Sequence, residues 1–189
     1  VNTYKLSIPN EEMTQIYKNI LDNWFNREQK TGDLIIKLID SLLGKEIALF
    51  EVFLQDLLII NTSYYDSIKK RERSLKGEEL EKQENFYHGL ILGLMLHLSD
   101  RYYIESNKEY GLGRPDIVIL PEDLNKTAFI LEFKNEYTTS KKTAVEAARE
   151  AMKQIKEKHY VQGVKKTGIK EVVKIGLGFK GKEVAVEWA

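Results

Sequence analysis

The sequence predicts an α/β fold: a helical amino-terminal region, then a helix, three antiparallel strands, a long helix and two closing strands. Three observations carry this. Apolar residues recur at spacings of three and four through the first hundred residues, as on a helix. After Ser99-Asp100 the pattern changes to alternation, as on strands. A segment rich in alanine and lysine then separates two groups of short apolar runs. A chain of 189 residues with 42% apolar residues, 31% charged, 12 Gly and 3 Pro can bury an ordinary core, which excludes disordered and collagen-like architectures.

Taken in order, Tyr4 to Ile8 reads as a short strand stopped by Pro9, and 11–27 as an amphipathic helix entered through Asn10 with two acids in its first turn. Helical patterns follow from Leu34 to Leu43, ending at Gly44, and from Ile47 to Ile60, the latter apolar on too many sides for a surface helix. Residues 66–82 read as an exposed connection or a helix end, and the helical pattern resumes over 78–98. In that helix Gly89 and Gly93 each weaken it by about 1 kcal/mol relative to alanine, which calls for another backbone packed closely there. Strands are expected from Tyr102 to Ser106, Pro115 to Leu120 and Thr127 to Phe133, joined by turns at 107–113 and 121–126 into an antiparallel meander. A helix over 138–160 carries alanines at 144, 147, 148 and 151, small enough to lie flat on a sheet. Strands at 172–179 and 184–188 close the chain. The expected division is a helical region at 1–77 packing on a core at 78–189.

Composition also limits the chemistry. No cysteine means no disulfide, no cysteine nucleophile and no thiolate metal site. With only three histidines, His88, His97 and His159, a histidine-built zinc site is not expected, so a metal here should be a hard cation on oxygen ligands. The longest apolar run, Leu90 to Leu98, is far short of the roughly 20 residues a membrane helix needs, and the first residues lack the pattern of a signal peptide. A soluble, cytoplasmic protein is expected. The net charge is zero, yet residues 138–182 hold twelve Lys or Arg against four Glu. One end of the fold is therefore positive, which favours a polyanion at moderate salt or is a solvated helix face.

The most informative stretch joins Gly111-Leu112-Gly113-Arg114-Pro115-Asp116 to Phe129-Ile130-Leu131-Glu132-Phe133-Lys134. On a strand Glu132 and Lys134 share a face, where an otherwise apolar strand runs out. Asp116 opens the preceding strand and, in an antiparallel pair, lies beside the end of the next. Two such carboxylates repel unless a cation separates them, and the Phe133 carbonyl offers a third oxygen to Mg2+ or Mn2+. Lys134 can hold or help deprotonate a water and offset charge on a phosphate. The competing reading makes Asp116 a turn cap and Glu132 an ion-pair partner of Lys134 or Arg114. His88 reads either as a substrate or phosphate contact or as a hydrogen-bonded structural group. Arg114 reads either as a phosphate binder or as a counter-charge to the acids.

Pro115-Asp116, fifteen intervening residues and Glu132-Phe133-Lys134 resemble the signature of the PD-(D/E)XK nuclease superfamily. The flanking words Ile8-Pro9-Asn10-Glu11, Phe86-Tyr87-His88-Gly89 and Gln154-Ile155 are similar to its bacterial branch found behind an AAA-ATPase-like module. The resemblance implies a restriction-endonuclease-like αβββαβ core with a mixed central sheet flanked by helices. It implies a metal-dependent nuclease acting on DNA, with Asp116 and Glu132 as metal ligands and Lys134 as the catalytic lysine. It adds an acidic member on the preceding helix, matched best by Glu84 with Glu81 as the second choice, and Gln154 as support for the lysine or the scissile phosphate. The tyrosine that some members carry four residues after that glutamine is not matched: position 158 is Lys and the tyrosine is Tyr160. An attached AAA-ATPase-like domain, a homodimer, and a catalytically inactive domain that binds nucleic acid or a partner protein and regulates the ATPase are the other expectations.

Overall fold

Three helices open the part of the chain that the structure, a computed structural model, describes: residues 29–69 and 76–189. They are α1 (Gln29–Leu43), α2 (Ile47–Lys69) and α3 (Lys76–Met95), the last tightening into a 3₁₀ turn at Leu96–Leu98. The expected strand at 4–8 and helix at 11–27 lie outside the described residues. Strands β1 (Tyr102–Ser106), β2 (Ile117–Pro121) and β3 (Ala128–Glu136) come next. Helices α4 (Ala144–Glu157) and α5 (Tyr160–Lys165) lead to β4 (Val172–Lys180) and β5 (Glu183–Trp188).

The strands make one sheet in the order β1-β2-β3-β4-β5. β1/β2, β2/β3 and β4/β5 are antiparallel, while β3 and β4 run parallel from Ala128↔Val172 to Glu136↔Lys180. Parallel neighbours cannot share a tight turn, so α4 serves as the crossover between them. This is the mixed, helix-flanked sheet that the sequence predicts.

Alternation along the strands divides the core into two layers. Phe129, Leu131 and Phe133 join Ile117, Ile119, Ile175, Leu177 and Phe179 in a layer shared with Ile35, Leu38, Phe50, Leu54, Tyr87 and Ile91 of α1, α2 and α3. Val118, Ala128 and Ile130 face the other way, onto Met152, Ile155, Tyr160 and Val164. Burial on both sides explains the unbroken apolar run at the start of β3. Tyr87 ties α3 to the sheet: its ring stacks on Phe179 with centroids 4.1 Å apart, and its hydroxyl donates to the Gly181 carbonyl. The next turns of that helix are thereby aimed at the end of β3.

On the second face, α4 follows a capping box formed by Thr143 and Glu146 and begins six residues later than the pattern predicts, because 138–143 lies outside the helix. Its alanines at 144, 147, 148 and 151 are buried, as expected for a helix lying flat on a sheet. Opposite them are glycines. A β-carbon at Gly178 would overlap the Ala144 carbonyl oxygen and the Ala148 nitrogen, and one at Gly176 would sit 2.7 Å from the Met152 nitrogen. The close backbone approach expected at Gly89 is absent, since a β-carbon there would meet no atom within 4 Å. It occurs on β4 instead.

Other differences concern helix ends and exposure. α2 continues to Lys69 and α3 starts at Lys76, so 66–69 and 76–82 belong to helix ends, the second of the two readings, with 70–75 outside the described residues. Leu49, Val52 and Ile60 of α2 are exposed, so that helix keeps a surface face despite its apolar composition. Among the described residues no helix is long and apolar enough to cross a membrane.

Two glycine substitutions separate these roles. Gly178→Ala should destabilise the chain by about 3 kcal/mol because the helix must lift from β4. Gly89→Ala should stabilise it by up to about 1 kcal/mol. Urea denaturation of both variants measures the difference.

Candidate active site

β2 pairs with β3 only as far as Ile117↔Leu131, whereas β4 accompanies β3 for five residues more. Past Leu131, β3 therefore has one paired edge and one open edge. Asp116 fills the vacated place: the Phe133 amide donates to its Oδ2 at 2.7 Å. In an extended residue the N–H and C=O leave on the same edge, so the Phe133 carbonyl also faces the Asp116 side.

Glu132 lies on the α4 face of β3 and is only 2% exposed. Its Oε1 is 3.5 Å from Lys134 Nζ and accepts from the Gln154 amide of α4. Its Oε2 is buried with no hydrogen-bond partner among the described residues. Burial pushes the Glu132 carboxyl up to about 8, and the neighbouring Asp116 charge adds to the rise against the opposing pull of Lys134. Asp116 is raised as well, by burial first. The Phe133 amide and the His88 and Lys134 charges oppose that rise, while the Glu84 charge adds to it.

This pair fits a hard divalent cation. A buried acidic oxygen without a partner is costly, and so are two carboxylates charging side by side; an ion between them removes both penalties. Asp116, Glu132 and the Phe133 carbonyl are the groups that could hold it. Among the described residues no three His, Asp or Glu side chains cluster into a cage. A Mg2+ site needs none, because one or two carboxylates suffice when water and substrate phosphate complete the shell.

The remaining residues singled out in the sequence fall into place around this pair. Glu84 is exposed on α3 and acts on Asp116 through charge, without closing up to the two acids. Gln154, expected to support the lysine or a phosphate, directs its amide to Glu132 and, at 3.4 Å, to the Tyr160 hydroxyl. His88 stands one helical turn after Glu84, with Nε2 2.7 Å from Ser106 Oγ. Arg114 pairs with Glu109 at 2.7 Å and not with the acids. His97 contacts the Leu94 carbonyl, and His159 is exposed.

Tyr160, which the sequence left unmatched because it stands six and not four residues after Gln154, reaches that glutamine all the same. His159 adopts a left-handed conformation (φ 54°), which ends the first helix and turns Tyr160 back toward Gln154 six residues earlier. Such a φ is uncommon outside glycine, and nothing in the local sequence signals it. Gly111, also at positive φ, leaves room for the Lys158 and His159 carbonyls, while the Leu112 amide donates to the Lys158 carbonyl at 2.8 Å. These contacts fasten the loop that leads into Asp116 onto the same helix corner.

Glu132 predicts a pH dependence of the ion-free chain. Unfolded, it loses its proton near the ordinary carboxylate value; folded, it keeps the proton to about 8. Between those values the native state binds more protons, so stability falls as pH rises between roughly 5 and 8 and levels off above. Thermal melts across this range should show the decline, and Glu132→Gln should flatten it. An unchanged slope in the variant would contradict the assignment.

Residues 82–189 match the family model of the PD-(D/E)XK nuclease superfamily. No curated protein matches the chain.

Proposed function

Because the chain belongs to the PD-(D/E)XK nuclease superfamily, we propose that it is a Mg2+- or Mn2+-dependent nuclease that hydrolyses phosphodiester bonds in DNA. Residues 78–189 form the catalytic part, and the amino-terminal helices cover one face of its sheet. The observation that carries this reading is the buried Asp116–Glu132 pair with an unpartnered Glu132 Oε2 beside Lys134.

In this reading Asp116, Glu132 and the Phe133 carbonyl hold the cation. When bound, the ion supplies a Lewis acid at the scissile phosphate. Gln154 fixes the Glu132 carboxylate through Oε1 and leaves Oε2 for the ion. Lys134, whose side chain is one-third exposed, reaches from beside Glu132 toward solvent. There it orients a water for attack on phosphorus, and its ammonium offsets the charge gathering on the phosphate oxygens. Water adds to phosphorus and gives up a proton to solvent as one phosphorus–oxygen ester bond breaks, and the leaving oxygen takes its proton from solvent. Arg149, Lys156, Lys158, Lys165 and Lys166 are exposed along α4 and α5 and provide positive charge for strand phosphates.

Asp116→Asn and Glu132→Gln should each lower Mn2+-dependent cleavage of a DNA panel by about a hundredfold or more with the fold intact by circular dichroism. Lys134→Ala should lose activity comparably yet still bind Mn2+ in calorimetry. Cleavage that survives in both acid variants would remove the proposal. Cation binding without cleavage in the wild type would favour a non-catalytic nucleic-acid-binding domain.

A further inference from the structure

His88 has no part in holding the cation, yet it stands at the same end of the sheet. Two contacts fix its ring. Nε2 lies 2.7 Å from Ser106 Oγ at the end of β1, and the ring meets the edge of Phe133 at 86° with centroids 5.7 Å apart. Tyr87, the residue before it, packs α3 onto the sheet, so His88 need not supply that anchoring. It is half-buried on the flank of the helix, close to the Asp116 carboxyl.

The hydrogen-bond chain behind the ring accommodates the tautomer with its proton on Nδ1. Asn107 Nδ2 donates to Ser106 Oγ at 3.4 Å. A serine hydroxyl has one hydrogen, so with its oxygen accepting from Asn107 it can donate that hydrogen to Nε2. Nδ1 of a neutral imidazole is then the N–H, and it has no hydrogen-bond partner among the described residues. A ring held on one side by a hydroxyl, with an open donor on the other, is prepared for an acceptor arriving from solvent. The acceptor that belongs beside an acid pair and a lysine is a phosphate oxygen.

Resting on the nuclease reading above, we propose that His88 is a substrate-contact residue whose Nδ1–H binds a phosphate oxygen of the nucleic-acid strand, with Ser106 fixing its tautomer. His88→Ala should raise KM for a short DNA duplex or its single strand about tenfold, the loss of one hydrogen bond to an anion. It should leave kcat within a few-fold and the calorimetric Mn2+ affinity and melting temperature unchanged. His88→Asn, whose amide can place an N–H near the Nδ1 position, should recover most of the loss, and Ser106→Ala should show part of it.

An unchanged KM in His88→Ala would overturn the inference. So would a variant that loses Mn2+ affinity or melting temperature along with KM and is not rescued by asparagine, since that marks a structural group. A wild-type chain that binds Mn2+ but neither binds nor cleaves the DNA would overturn the nuclease reading and this contact together; an intact wild type with a silent His88→Ala would overturn the contact alone.

Discussion

Repulsion between two carboxylates at the end of a buried strand is the constraint around which the rest of this structure is arranged. Glu132 is enclosed by the sheet and α4, Asp116 takes the place of a missing strand partner, and one Glu132 oxygen has no hydrogen-bond partner among the described residues. An apolar residue at position 132 would satisfy packing at least as well, since Ala128 and Ile130 on the same face already do so. The acids are retained at a cost to the ion-free fold, which is the expected mark of a functional site.

The scaffold meets this cost through packing on both sides. Three helices and a layer of aromatic and branched residues fix one face of β3, with the Tyr87–Phe179 stack as the tie between helix and sheet. On the other face, alanines of α4 against Gly176 and Gly178 bring the helix close enough for Gln154 to reach Glu132. The same helix corner receives the Gly111 loop that precedes Asp116. The two acids are thus set by independent supports that meet at one helix.

The antiparallel meander of β1, β2 and β3 and the placing of Asp116 beside the end of β3 were legible in the sequence, because alternation, turn residues and the apolar run of β3 all depend on local pattern, whereas the mixed sheet was implied only by the family resemblance. The alanine stripe likewise announced a helix lying on the sheet. What escaped depends on tertiary contact. Gly89 looked like a packing glycine, yet the close approach belongs to Gly176 and Gly178, whose strand context hid their partner. Tyr160 could not be paired with Gln154 by spacing, since the left-handed His159 resets the helix between them. The Ser106 contact that fixes His88 joins residues eighteen apart and leaves no periodic trace.

The most direct test of the central claim is Mn2+ calorimetry on the intact chain near neutral pH in two buffers of different ionisation enthalpy, which counts protons released on binding. Glu132, held protonated up to about 8, must give up its proton to the ion, so binding should release about one proton, and Glu132→Gln should abolish that release. Binding with no proton release, or no binding at all, would contradict the account.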